Sequence, residues 1–234
     1  MTEDKRGILI GVGVGPGDPE LMTLKAIRMI KEADRVILPQ REAREARAYQ
    51  IALGAVPSLA DKCLIGLHFP MTRDRDARDR QIAANYALLR PYLQANERLV
   101  FLTIGDPCLY STFCHLKACA EADACKTEMV NGISSVAAAS ARWNIPLCLD
   151  DEELHLLNGK SRLKEGLALP GTKVLMKAGS CLFDLAEALQ EHPDMKVYGV
   201  KDCGLPGEEV YDQVKDIPGD YMLTVILKEE KGSG

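Results

Sequence analysis

No apolar run in this 234-residue chain reaches the roughly 20 residues that a membrane-spanning helix needs. A basic excess is missing too. Lys and Arg number 29 against 34 Asp and Glu, a formal charge of −5, and without a basic patch no nucleic-acid partner is expected. The eight cysteines (63, 108, 114, 119, 125, 148, 181 and 203) include no C-x-x-C pair, and the cluster between 108 and 125 has neither zinc nor ferredoxin spacing. The four histidines (68, 115, 155 and 192) are scattered, so no metal site is expected. Free cysteines of this kind suit a reducing compartment. The polar opening Met1-Thr-Glu-Asp-Lys-Arg6 is not a secretory signal, so a cytoplasmic location is the expectation.

What the chain does have is two glycine- and proline-rich strand ends. Gly11-Val-Gly-Val-Gly-Pro-Gly-Asp-Pro-Glu20 follows the apolar run Ile8-Leu9-Ile10. Gly105-Asp106-Pro107 follows Leu99-Val-Phe-Leu-Thr-Ile104. In open α/β sheets such loops, at the carboxyl ends of parallel strands, are where small molecules bind. The pattern predicts strand 6–10, a loop over 11–17, and a helix from the Asp18 cap to about Ala33. Strands are predicted at 34–39, 64–69, 99–104 and 127–130, with helices over 40–60, 81–94, 111–122 and 134–143. The charged stretch 71–80 reads as a solvated loop and helix start. After Asn144-Ile-Pro146 strands crowd together, at 154–158, 173–177, 196–201 and 221–228, with a helix near 182–191. The expected fold class is therefore α/β, with two α/β domains: 1–131 with a parallel sheet and 132–234 with a mixed sheet.

A dinucleotide fingerprint does not fit the first loop. Counted from Gly11 the third glycine falls on Pro16, and counted from Gly13 it falls on Asp18. No Gly-Lys-Ser/Thr occurs, proline supplies no donor, and an aspartate repels phosphate. The loop is thus expected to serve a ligand without a pyrophosphate.

Several motifs, in order, resemble the tetrapyrrole (corrin/porphyrin) methylase family. They are Val12-Gly-Val-Gly-Pro-Gly-Asp-Pro-Glu-Leu-Met-Thr-Leu-Lys25, Ala33-Asp-Arg-Val-Ile37, Ile104-Gly-Asp-Pro-Cys-Leu-Tyr-Ser111 and Val130-Asn-Gly-Ile-Ser-Ser135, followed by Val174-Leu-Met-Lys177 and Tyr221-Met-Leu-Thr-Val-Ile226. One departure is Asn131-Gly132, where the family usually has Pro-Gly. The resemblance implies methyl transfer from S-adenosyl-L-methionine to a tetrapyrrole. Within the family the pattern is similar to members acting at the C20 meso carbon of precorrin-2 or cobalt-factor II in cobalamin synthesis, the alternatives being action at another tetrapyrrole carbon or a non-catalytic module that binds the cofactor or a tetrapyrrole. It also implies an active site in a trough between the two domains, and a homodimer.

Carried over by position, Pro16, Ile104, Gly105, Asp106, Leu109, Ser134, Ser135, Met176, Cys203, Tyr221 and Met222 would border the cofactor. Asp106 and Tyr110 are the candidates for proton transfer near the reacting carbon. As alternatives, Asp106 serves structure or cofactor binding, Tyr110 a cleft wall, the serines a helix cap and Met176 the core. The candidates for substrate contact are Gly15 and, for the substrate's carboxylates, the arginines Arg41, Arg44 and Arg47, whose spacing of three puts them on one face of a helix if 40–60 is helical. A solvated helix surface is the alternative for those arginines.

Overall fold

Ile8-Leu9-Ile10 offers apolar side chains to both of its faces, so it needs cover on both. In the computed structural model, which describes residues 7–70, 72, 74–158, 163–219 and 222–229, it opens strand β1 (Ile8–Gly13). Leu9 and Val12 are fully buried and Ile10 nearly so. Four more strands join it: β2 (Arg35–Leu38), β3 (Cys63–Gly66), β4 (Arg98–Thr103) and β5 (Lys126–Val130). The order is β3-β2-β4-β1-β5 and every pairing is parallel.

β1 runs further than the sequence pattern predicts, through Gly11 and Gly13. Pairing overrides the weak strand preference of glycine here, because β4 and β5 flank this segment on both sides. Gly11 must lack a side chain. A Cβ there would lie 2.4 Å from the ring of Phe113, which lies over the strand.

The helices of this unit are α1 (Leu24–Glu32), α2 (Arg47–Ala55), α3 (Arg75–Gln94) and α4 (Phe113–Ala122). The helix expected from Asp18 is interrupted. Asp18 caps only a single turn over Pro19–Leu21, and Thr23 starts α1 anew by accepting from Ala26 N–H at 3.1 Å. The helix expected over 40–60 is also broken, into short turns at Ala43–Glu45 and Pro57–Asp61 with α2 between them. Asp74 caps α3, which therefore takes in most of the charged stretch. Leu89 and Leu93 of α3 and Phe113 and Leu116 of α4 pack with Leu9, Leu99 and Phe101 in one apolar cluster.

The contacts divide the chain after Ser134 into two units, Met1–Ser134 and Ser135–Gly234, against the expected boundary after 131. The second unit holds α5 (Ser135–Arg142), β6 (Leu154–Asn158), α6 (Leu163–Leu167), β7 (Thr172–Met176), α7 (Leu182–Ala188), β8 (Met195–Lys201), β9 (Glu209–Tyr211) and β10 (Leu223–Glu229). Its sheet runs β6-β7-β10-β8-β9. Only β6 and β7 are parallel, so the sheet is mixed. Alternation along β10 sends Val225 and Leu227 to a cluster with α6 and α7, and Ile226 to one with Val136 and Ala139 of α5.

Phe113→Ala is expected to lower stability by about 3–5 kcal/mol, since it empties a fully buried site beside Phe101 and Gly11. Urea unfolding checks this, and an unchanged midpoint would contradict the packing described.

Candidate functional site

β4, β1 and β5 are neighbours, so their carboxyl ends bring three loops together: 14–18, 104–112 and 131–134. The crossing is too tight for side chains. A Cβ on Gly13 would lie 2.4 Å from Gly105 O and 2.6 Å from Gly132 N. A Cβ on Gly132 would lie 2.2 Å from Gly105 O. Gly15 and Gly105 both take positive φ, 78° and 72°. They face each other through Gly105 N–H donating to Gly15 O at 2.7 Å and Gly15 N–H donating to Gly105 O at 3.4 Å.

Asp106 sits on this knot. One carboxylate oxygen, Oδ1, accepts from Cys108 N–H at 2.7 Å. The other, Oδ2, accepts from the Asn131 side-chain amide at 3.0 Å and from Gly132 N–H at 3.2 Å. Partial burial by itself would raise the Asp106 pKa. The donors on Cys108, Asn131 and Gly132 outweigh burial and hold it below the ordinary carboxylate value. A carboxylate so engaged suits the holding of loops, not the taking of a proton. The geometry therefore favours the structural alternative for Asp106 over the base. Burial, then the Asp106 carboxylate, push the Cys108 thiol upward, so it stays protonated.

Tyr110 lies on the same loop with φ 51° and is 46% exposed. A non-glycine residue in this conformation costs about 1–3 kcal/mol unless its surroundings fix it. Ser111 Oγ accepts from Phe113 N–H at 3.2 Å and so starts α4. Pro16 is buried, while Ile104, Leu109 and Ser134 are half-buried.

The three arginines do not form a helical face. Arg41 lies in irregular backbone, Arg44 in the turn Ala43–Glu45 and Arg47 at the first position of α2. Arg44 is committed elsewhere, donating to Tyr49 Oη at 2.9 Å and to Ala60 O at 3.0 Å. The expected single carboxylate-reading face is thus corrected, because the helix that would carry it breaks at Glu42 and Ala46.

In the second unit Met176, Cys203 and Met222 gather at one end of the sheet. Met176 ends β7 and pairs with Thr224, Met222 directly precedes β10, and Cys203 follows β8. Asp202 N–H donates to Met222 O at 3.0 Å. Glu208 fixes the 202–208 loop by accepting from Gly204 N–H at 2.7 Å and from Arg142 Nε. Burial, and next the Glu208 charge, push the Cys203 thiol up to about 11. Ser135 Oγ accepts from Thr224 Oγ1 at 3.2 Å. Tyr221 lies outside the described residues.

A cavity of about 450 Å³ lies further back along β1, lined by Ile8, Lys25, Arg28, Arg98 and Glu128 among others. Lys25 there pairs with Glu128 at 2.6 Å, and Arg98 pairs with Glu32. Among the described residues no group of three or more His, Cys, Asp or Glu is placed to hold a metal ion. No helix among them is long and apolar enough to cross a membrane.

The signal for the Asp106–Cys108 bond was present in the sequence, since Asp-Pro-Cys is an Asx-turn pattern. The Asn131 contact was not, because it joins residues far apart in the chain.

The pH dependence follows from the depressed Asp106 pKa. Its stabilising contribution is present above the unfolded value, about 3.9, and is lost as pH falls through the folded value. Asp106→Asn is therefore expected to be less stable than the parent at pH 7, with the gap narrowing below about pH 4. A gap that stays constant from pH 7 down to 3 in thermal unfolding would contradict the ionised clamp.

Comparison with known proteins shows the family and the fold. The model of the tetrapyrrole (corrin/porphyrin) methylases matches residues 8–218. A probable cobalt-precorrin-2 C(20)-methyltransferase of Methanocaldococcus jannaschii is 32% identical, over 94% of this chain and 96% of that protein. A precorrin-2 C(20)-methyltransferase of a Sinorhizobium species is 30% identical, over 78% of each. The fold is shared with a uroporphyrin-III C-methyltransferase of Thermus thermophilus, solved in complex with S-adenosylhomocysteine. Its TM-score is 0.69 at 22% identity, with 95% of this chain and 98% of that one covered. The chain belongs to the tetrapyrrole (corrin/porphyrin) methylase family.

Proposed function

We propose that the protein transfers the methyl group of S-adenosyl-L-methionine to the C20 meso carbon of precorrin-2 or of its cobalt-containing counterpart. The observation that carries the reading is the glycine knot of the first unit. It is a strand-end edge of the kind that binds ligands in open α/β sheets, in a chain at least 30% identical to a C20-methyltransferase and to a probable one over most of its length.

The residues present fit such a donor. Pro16 has no N–H to give and Asp106 is anionic, which disfavours a pyrophosphate. Half-buried Ile104 and Leu109 on the loop after β4 offer apolar surface at this edge, as a nucleoside requires. When bound, S-adenosylmethionine supplies a sulfonium-activated, electrophilic methyl group. The meso carbon of a reduced tetrapyrrole is enamine-like and already nucleophilic, so the protein has to align the two and exclude water. Positioning of this kind is worth up to about 7–11 kcal/mol.

In this reading Asp106 fixes the loop backbone and takes no proton. Tyr110, exposed on the same loop, is the remaining candidate for handling the proton lost from C20. Arg41 and Arg47 remain candidates for the substrate's carboxylates, with Arg44 withdrawn to Tyr49 and Ala60. A cytoplasmic homodimer completes the proposal. Eight free cysteines support the reducing compartment, and light scattering tests the dimer.

Incubation without oxygen with methyl-labelled S-adenosylmethionine and each of the two tetrapyrroles is expected to give a product labelled at C20 by NMR. Label at another ring carbon, or none with either substrate, would overturn the assignment.

A further inference from the structure

Asn131 ties the 104–112 loop of the knot to its own and also meets the start of α1. Its side-chain amide donates to Asp106 Oδ2 at 3.0 Å and lies 3.7 Å from Cys108 Sγ. Its carbonyl accepts from Thr23 Oγ1 at 3.3 Å, and Thr23 is the residue that caps α1. Of the donors on the Asp106 carboxylate, the Cys108 N–H and thiol belong to the carboxylate's own turn and survive without the other loops. The carboxylate's bonds to the 131–134 loop come from Asn131 Nδ2 and from Gly132 N–H, and both fall on one oxygen. A proline at position 131 would offer no side-chain donor, so this tie is a property of the residue this chain carries.

We infer that Asn131 is a positioning residue: its side-chain amide holds the Asp106 carboxylate, and through it the backbone of 104–109, in the shape that donor binding requires. The inference rests on the proposed methyl-donor site. The carboxylate is anchored from both ends, by its own turn on Oδ1 and by the third loop on Oδ2. Without the amide, the 104–109 loop is joined to 131–134 by one long bond and by the close contact of Gly105 O with Gly132. Half-buried Ile104 and Leu109 ride on that backbone. The titratable groups on and around the loops are Asp18 on the first, Cys108, Tyr110 and Cys114 on and after the second, and the Lys25–Glu128 pair between α1 and β5. The 131–134 loop has none, so a carboxyl placed at 131 adds a single new titration facing Asp106.

The test uses S-adenosylhomocysteine as probe, with calorimetry from pH 5 to 8 on the full chain, Asn131→Ala and Asn131→Asp. Asn131→Ala is expected to bind about three- to tenfold more weakly across the range, the scale of one ordinary net hydrogen bond, since the lost bond acts on the ligand only through the loop. Asn131→Asp sets two carboxyls against each other, which forces them to share a proton. Its affinity is expected to be at least about tenfold below the parent at pH 8 and to recover toward pH 5. A purely structural lesion would not recover on acidification. In parallel, the carboxyl ¹³C signal of Asp106, followed without ligand, is expected to titrate at higher pH in both variants than in the parent.

Affinities within twofold of the parent at pH 8 together with an unmoved Asp106 titration would overturn the inference. If Asn131→Asp fails to fold, Asn131→Ala carries both readouts. Should the parent itself not bind S-adenosylhomocysteine, the methyl-donor reading fails, and the Asp106 titration still decides whether Asn131 holds the carboxylate.

Discussion

The structure of the first unit turns on one close approach: three backbone segments meet at Gly13, Gly105 and Gly132, with an ionised carboxylate stitched across two of them. No residue with a Cβ fits at Gly13 or Gly132 without moving the backbone. That constraint explains why glycines recur at the ends of β1 and β4 and after β5. It also limits what the edge can hold. The backbone groups of Gly15 and Gly105 are spent on each other and Asp106 is spent on the loops, so a ligand meets shaped surface instead of a nest of free N–H donors. A sulfonium-bearing nucleoside suits such a surface, and a pyrophosphate does not.

A second arrangement of the same kind occurs within the other unit. Glu208 accepts from Gly204 N–H and from Arg142, and so fixes the loop that carries Cys203 after β8. Asp202, with φ 47°, turns the chain there and bonds to Met222 O. In both units a carboxylate held below its ordinary pKa by backbone and side-chain donors shapes a loop at a strand end. In both, the donors favour the ionised form and tie it to loop backbone.

Much of the fold was legible because its signals are local. The apolar run at 8–10 and the loop at Gly105-Asp106-Pro107 place strands and their ends from a few residues each. Where pairing or capping competed with periodicity, the sequence misled. β1 absorbed Gly11–Gly13 because neighbours on both sides pair with it. The first helix broke at Met22–Thr23 because Thr23 makes a better start than a continuous turn would. The 40–60 segment is divided into two short turns and α2, and its second break falls at Pro57, whose ring cannot continue a helix. Short elements such as α6 and β9 carry too few residues for a period to show. Of the site, motif order placed the loops, but the Asn131–Asp106 bond and the Arg142–Glu208 pair join residues distant in the chain and needed the fold to become visible.

The central claim is that the loops following β1, β4 and β5 form the donor's seat. A crystal structure of the protein with S-adenosylhomocysteine addresses it most directly. The account predicts the ligand against Ile104, Gly105, Leu109 and Ser134, with the Asp106 carboxylate still bonded to Asn131 and Gly132. Ligand density away from these loops, at the charged cavity beside Lys25 and Arg98 for example, would contradict it.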